Sequence, residues 1–230
     1  MSLLITAIVG GKHPPGEKLP READLAEQYD VSRGVARESI RALEERGLIS
    51  VKHGKGATVN DFSKWKRFDP DVLAALLDSP RSVEILGEYI ECRQVLEVEG
   101  AALAAKRRNK ADIEKMRAAL ARMQESTERP NSRSAEALFH DADLEFHEAL
   151  FAATGNRALG ELVDTIHAAL LTARYPLARP QYRTKRALPE HREILEAIEA
   201  GDEVAARAAM AKHLKTIAGY LREHAASVAA

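Results

Sequence analysis

The 230 residues carry a net charge of −1, with 45 % hydrophobic, 30 % charged and only 5 % aromatic content; this excludes a disordered chain and favours two helix-rich domains over one. A single cysteine, Cys92, excludes an internal disulfide and points to a reducing cytosol, so a cytoplasmic location is expected. No apolar run reaches the roughly 18 residues of a membrane span, and the start MSLLITAIVGGKHPPG lacks the basic region and cleavage site of a signal peptide.

PPGEKLP (14–20) reads as a turn and READLAEQYD (21–30) as a short helix. SRGVARESIRALEERGL follows as a second helix, with Ser32 as N-cap, apolar positions at Val35, Ile40 and Leu43, and Gly47 as its stop. LISV and ATVN are β-prone runs joined by KHGKG, which makes a hairpin with a basic, glycine-rich tip. DFSKWKRF (61–68) has no strong period and reads as a linker. From residue 69 onward only helices are expected. Asp69-Pro70 caps DVLAALLDS; RSVEILGEYIECRQVLEVEGAALAAKRR and KADIEKMRAALARMQES follow, then segments near 134–153, 156–174, 182–200 and 202–225. The breaks are TERPNSRS, Gly155-Asn156, YPLARP and Gly201-Asp202, and the seven helices are mostly long enough to bundle.

The first 66 residues hold eleven Lys/Arg against nine Asp/Glu, so an argument for nucleic acid must rest on where the charges sit. Two short helices, a tight turn (YDVSR) and a basic hairpin describe a winged helix-turn-helix. In that design the second helix enters the major groove and its first turns reach base edges. Ser32 opens this helix, and Arg33, Arg37 and Arg41 stand at i, i+4 and i+8 on one face. Guanidinium groups there can pair bidentately with guanine or clamp phosphate. Lys52, His53 and Lys55 offer the wing tip to the DNA backbone, and Gly54 and Gly56 permit close approach. Three arginines on one face alone would be an ordinary solvated surface; the order of helix, turn, arginine helix and basic wing makes the difference.

The stretch from PPGEKLP through LAEQYDVSR and RESIRALEERGLI to HGKG, about 46 residues without a gap, resembles the winged-helix domain of GntR-family transcription regulators. The resemblance implies base or phosphate contacts from Arg33 and Arg37, and a minor-groove contact from His53. One departure is Ala23, where the family's helix usually opens with an arginine; Arg21 lies two residues earlier.

Within DADLEFHEAL, Asp143 and His147 are four apart and project from one helix face. Alone they could be a surface ion pair. His191 borders the apolar stripe of Ile194, Leu195 and Ile198, and His213 shares an inward face with Met210 and Ile217. One carboxylate and three imidazoles from three helices suit a first-row divalent ion: zinc first, with nickel, iron or manganese as alternatives. An inward histidine is often only a hydrogen-bonded core residue. His140, one turn before Asp143, competes for the role, and His167 lies in the next helix.

Residues 80–225 resemble the FCD effector domain of the FadR branch of GntR regulators, through ECRQVLEVEGAALAA, DLEFHEALFAATGN, HREILEAIEAGD and AMAKHL. The resemblance implies a divalent metal held by Asp143, His147, His191 and His213. It also implies an acid effector, small carboxylate or sugar acid, with Arg93 facing the pocket; the plainer alternative is a surface Arg93 paired with Glu97 at i+4.

The expected architecture is an α+β winged helix-turn-helix domain (1–62), a linker and extra helix (63–79), and an all-α FCD-type bundle of six to seven helices (80–226). The expected function is a dimeric transcriptional regulator, a repressor released by its effector, on a palindromic double-stranded operator with no membrane partner. A dimer is expected because one winged helix reads only a half-site. The rival is a metal-dependent hydrolase or lyase fused to a DNA-binding domain, since an open metal position can activate water. Against it, Glu145 and Glu148 flank His147 but point elsewhere, so no general base stands beside the ligands.

Overall fold

The computed structural model describes residues 1–52, 54–128, 133–172 and 186–228. The chain divides into two compact units, Met1–Ile85 and Leu86–Ala230.

The first unit contains α1 (Ser2–Val9), α2 (Glu22–Gln28), α3 (Arg33–Glu45), β1 (Ile49–Lys52), β2 (Gly56–Val59), a 3₁₀ turn (Phe62–Lys64) and α4 (Pro70–Leu77). Asp24 accepts from the backbone N–H of Arg21 at 3.1 Å and so closes the start of α2. Ser32 Oγ accepts from Val35 N–H at 3.3 Å at the start of α3. Leu25, Leu43, Leu48 and Ile49 are buried between these helices and the hairpin. Such side chains each contribute about 1.5–3 kcal/mol when fully buried. The hairpin is antiparallel, with Ile49 opposite Val59 and Lys52 opposite Gly56. The 14–20 turn also adds a rung to it: Val59 N–H donates to Glu17 O at 2.9 Å and Leu19 N–H to Ala57 O at 3.0 Å.

Gly47 stops α3 with φ of +72°, and a Cβ there would lie 2.2 Å from Lys64 O, so both conformation and space require glycine. The 61–68 segment holds more structure than its irregular apolar pattern suggests. Lys66 N–H donates to Arg46 O at 2.9 Å, and the Trp65 indole donates to Asn60 O at 3.1 Å. It is held by backbone bonds and one indole rather than by periodic burial, which is why no period marks it. Asp69 caps α4, and the Arg46 guanidinium bridges Asp69 at 3.1 Å and Asp71 at 2.8 Å. α4 packs on α1.

The second unit is helical: α5 (Ser82–Arg107, beginning just before it), α6 (Lys110–Thr127), α7 (Arg133–Ala153), α8 (Arg157–Thr172), α9 (Leu188–Ala200) and α10 (Glu203–Val228). With α4, all seven helices expected after residue 69 are present. Residues 182–185, expected to open the sixth, and the YPLARP break lie outside the described residues. α6 packs on α7 and α9, α8 on α7, and α10 on α9. Met116, Phe146, Leu150, Ile194, Ile198, Met210 and Leu214 form the core. No described helix is long and apolar enough to cross a membrane.

Candidate functional site

The nucleic-acid face is built by α3 and the hairpin. Ile40 and Leu43 hold one side of α3 in the core, which turns Arg33, Arg37 and Arg41 outward, all exposed. Arg41 forms an ion pair with Glu38 at 3.0 Å, so its guanidinium already has a partner on the helix surface. Glu44 Oε1 accepts from Val51 N–H at 2.8 Å and ties the wing to the same helix. Lys52 and Lys55 are exposed on the hairpin, and Lys55 N–H closes the tip on Lys52 O at 2.9 Å. Gly54 and Gly56 turn that tip at φ of +73° and +85°. His53 lies outside the described residues.

The second unit gathers its own polar groups at the centre of the bundle. His147 on α7, His191 on α9 and His213 on α10 are all buried, and their nearest ring nitrogens lie within 4.8 Å of one another. Asp143 enters from one turn before His147, with Oδ1 2.9 Å from His191 Nε2. Two groups bound at about 2.1 Å to one tetrahedral ion stand about 3.4 Å apart, so the Asp143–His191 pair lies near the spacing of a shared ion. His140 is half-buried against Phe139 and stands outside the cluster.

Hydrogen bonds behind the rings fix which nitrogen faces inward. His191 Nδ1–H donates to Ala187 O at 2.7 Å, and His213 Nδ1–H donates to Glu190 Oε2 at 3.0 Å. A carbonyl and a carboxylate only accept, so each Nδ1 carries a proton, and each Nε2 offers its lone pair whenever the ring is neutral. His147 Nε2 is buried without a hydrogen-bond partner in the described structure, and His191 Nε2 meets only the Asp143 carboxylate. Orphaned buried nitrogens of this kind cost about 1–3 kcal/mol each unless another group takes them up. Three inward Nε2 atoms beside a carboxylate are a donor set that a divalent ion satisfies.

Electrostatics sharpens the picture. Burial opposes ionisation of Asp143, but the hydrogen bond with His191 and the neighbouring imidazoles outweigh it and hold the carboxyl far below its usual range. Burial disfavours the charged form of His191 as well, yet Asp143 more than offsets this and raises its pKa. His147 is lowered, chiefly by burial, and His213 is pushed down to about 4 by burial and by His191. Asp143 and His191 therefore form a buried, charge-assisted pair, Oδ1 against Nε2.

Arg93 shares a feature with each of its two expected readings. It is paired with Glu97, as the plainer one has it, but both side chains are buried. The contacts of three supporting residues carried no local signal: Glu97 with His147 and His167, and Glu190 with His213. Glu97 reads from spacing only as the second half of a surface pair, and nothing in the sequence singles out Glu190. Their roles come from helices brought together by packing, which spacing within one helix does not reveal.

Comparison with known proteins places both units. Residues 2–59 match the model of the bacterial regulatory proteins of the gntR family, and residues 88–216 match the FCD domain. The HTH-type transcriptional regulator LutR of Bacillus subtilis is 34 % identical over 227 residues, covering 94 % of this chain and 99 % of that protein. The galactonate operon transcriptional repressor of Escherichia coli is 31 % identical over 205 residues, 88 % of this chain and 86 % of its own. A solved GntR structure from Streptococcus agalactiae superposes with a TM-score of 0.53 at 24 % identity, covering 96 % of this chain and all of the other, and shares the fold.

Proposed function

The chain belongs to the GntR family of bacterial transcriptional regulators, with an FCD domain, and from that premise we propose that it is a dimeric, cytoplasmic repressor released from a palindromic operator by a small carboxylic or sugar acid. It is a DNA-binding regulator and not an enzyme. Relatives at about a third identity include one named as a repressor of the galactonate operon, which supports an acid metabolite as the signal.

The observation that carries the reading is the convergence of ring nitrogens of His147, His191 and His213 inside the bundle, with Asp143 against the His191 Nε2. These four residues would hold a divalent ion, zinc being the first choice for imidazole-rich sites. When bound, the ion supplies a Lewis-acidic charge. The Asp143 carboxylate beside it and the Glu190 carboxylate behind His213 offset that charge, and Arg93 is already paired with Glu97, so an acid effector would be held through an open coordination position of the ion. Arg93 on α5 is assigned to the same acid-binding region. On the DNA side, Ser32, Arg33, Arg37 and Arg41 are assigned to the major groove, and Lys52, His53, Gly54 and Lys55 to the flanking backbone and minor groove.

The test combines thermal shift with operator binding by the full-length protein. Short hydroxy acids and sugar acids are screened with zinc present and after chelation. The expected result is a metal-dependent rise in melting temperature for one acid, with loss of operator affinity at the same concentration. Operator affinity indifferent to both metal and acid would overturn the effector reading. In His147→Ala, metal binding and the acid response are lost while basal operator binding stays.

A further inference from the structure

Behind the three inward imidazoles lies a second buried cluster. Glu97 on α5 is fully buried and pairs with Arg93 one turn earlier. Its Oε1 also takes the His167 Nε2–H from α8 at 3.0 Å, and its Oε2 lies 3.3 Å from His147 Nδ1. Glu97, His147 and His167 are close enough to resemble a ligand set of their own. The guanidinium decides against a second cation there. Arg93 already supplies the positive charge that the carboxylate needs, and a divalent ion beside it would meet a fixed like charge at short range.

The arrangement makes sense by comparison with the other two rings. His191 is backed by Ala187 O and His213 by Glu190. His147 has no such hydrogen bond in the described structure, and its Nδ1 makes only a charge contact with Glu97, not a well-aimed bond. We propose that Glu97 is the positioning residue for His147: its carboxylate holds the ring in the Nδ1–H form with Nε2 facing Asp143, His191 and His213, while Arg93 and His167 hold Glu97 in place. The proposal rests on reading the histidine cluster as a metal centre. It adds that α5 and α8, which supply no ligand, set how tightly the ion is held. Groups that back a metal-bound histidine change affinity about 10–100-fold when removed.

The experiment uses full-length protein, with zinc and cobalt affinities measured by competition against a chromophoric chelator. Wild-type protein should bind stoichiometrically, and failure there would sink the metal reading itself rather than the role of Glu97. Glu97→Gln keeps the shape but removes the charge, and should weaken both ions about 10–100-fold. Because it takes the Glu97 charge away from the buried Arg93 guanidinium, the double variant Arg93→Gln/Glu97→Gln is measured beside it, removing both charges together. The same loss is expected from the pair. Nitrogen-15 spectra of the metal-free proteins give an independent readout: His147 is the Nδ1–H tautomer in wild type and a tautomer mixture in both variants. A folded variant that keeps wild-type metal affinity and an unchanged His147 tautomer would overturn the proposal, whatever its melting temperature.

Discussion

At the residue scale, the contact between His191 and Asp143 sets the chemistry of the centre. His191 has a raised pKa, so the metal-free protein keeps a proton between the two residues at and below the ordinary histidine value of 6.5. A cation must displace that proton, whereas His147 and His213, both lowered, already offer neutral nitrogens. The sign follows: the proton is bound below 6.5 and lost as pH rises through the higher folded value. Metal uptake at a pH below that folded value should therefore release the His191 proton, and affinity should fall as pH is lowered through it. Titration calorimetry in two buffers of different ionisation heat reads that release directly. Identical heats in both would show that His191 is already neutral. The four residues of this cluster were legible in the sequence, because Asp143 and His147 share a face at i, i+4 and the other two histidines border apolar stripes. The Arg93–Glu97 pair was legible too, but the reach of Glu97 to His147 and His167, and of Glu190 to His213, was not, since those partners lie on other helices.

At the element scale, the separation of α5 and α7 decides whether Glu97 can reach His147 at all. Gly100 sits one turn beyond Glu97, and Phe151 one turn beyond His147. A Cβ on Gly100 would lie 2.4 Å from Phe151 Cε1, so this glycine is there for close approach and not for a turn. Phe151 is itself buried, which leaves its ring little room to yield. Gly100→Ala gains up to about 1 kcal/mol of helix preference but overpacks the interface at about 1–3 kcal/mol. The net expectation is a lower melting temperature together with weaker zinc binding, as α5 moves away from His147. A melting temperature equal to or above wild type would mean that Phe151 can move aside and that α5 is not so tightly set. The helix itself was plain from its amphipathic run; the closeness of its approach was not, because a glycine inside a helical pattern says nothing about which neighbour it admits.

At the scale of the whole molecule, a single winged helix exposes only one short arginine face. Arg33 and Arg37 carry it, with Arg41 partly engaged by Glu38. One such face reads a half-site of a few base pairs, so specific recognition of a palindrome requires two copies related by two-fold symmetry. That dependence can be measured through one residue. If Arg37 makes a bidentate base contact, Arg37→Ala costs about 1–3 kcal/mol for each half-site that is read. A dimer on a full palindrome makes the contact twice, so the loss there should be about double the loss on DNA in which one half-site is scrambled. Fluorescence anisotropy with the two duplexes, at one fixed salt concentration because phosphate contacts are salt-dependent, gives both numbers. Equal losses on the two duplexes would mean that only one copy reads DNA, and the dimeric reading would fall. No loss on either would remove Arg37 from the contact set while leaving the rest of the helix-and-wing face in place.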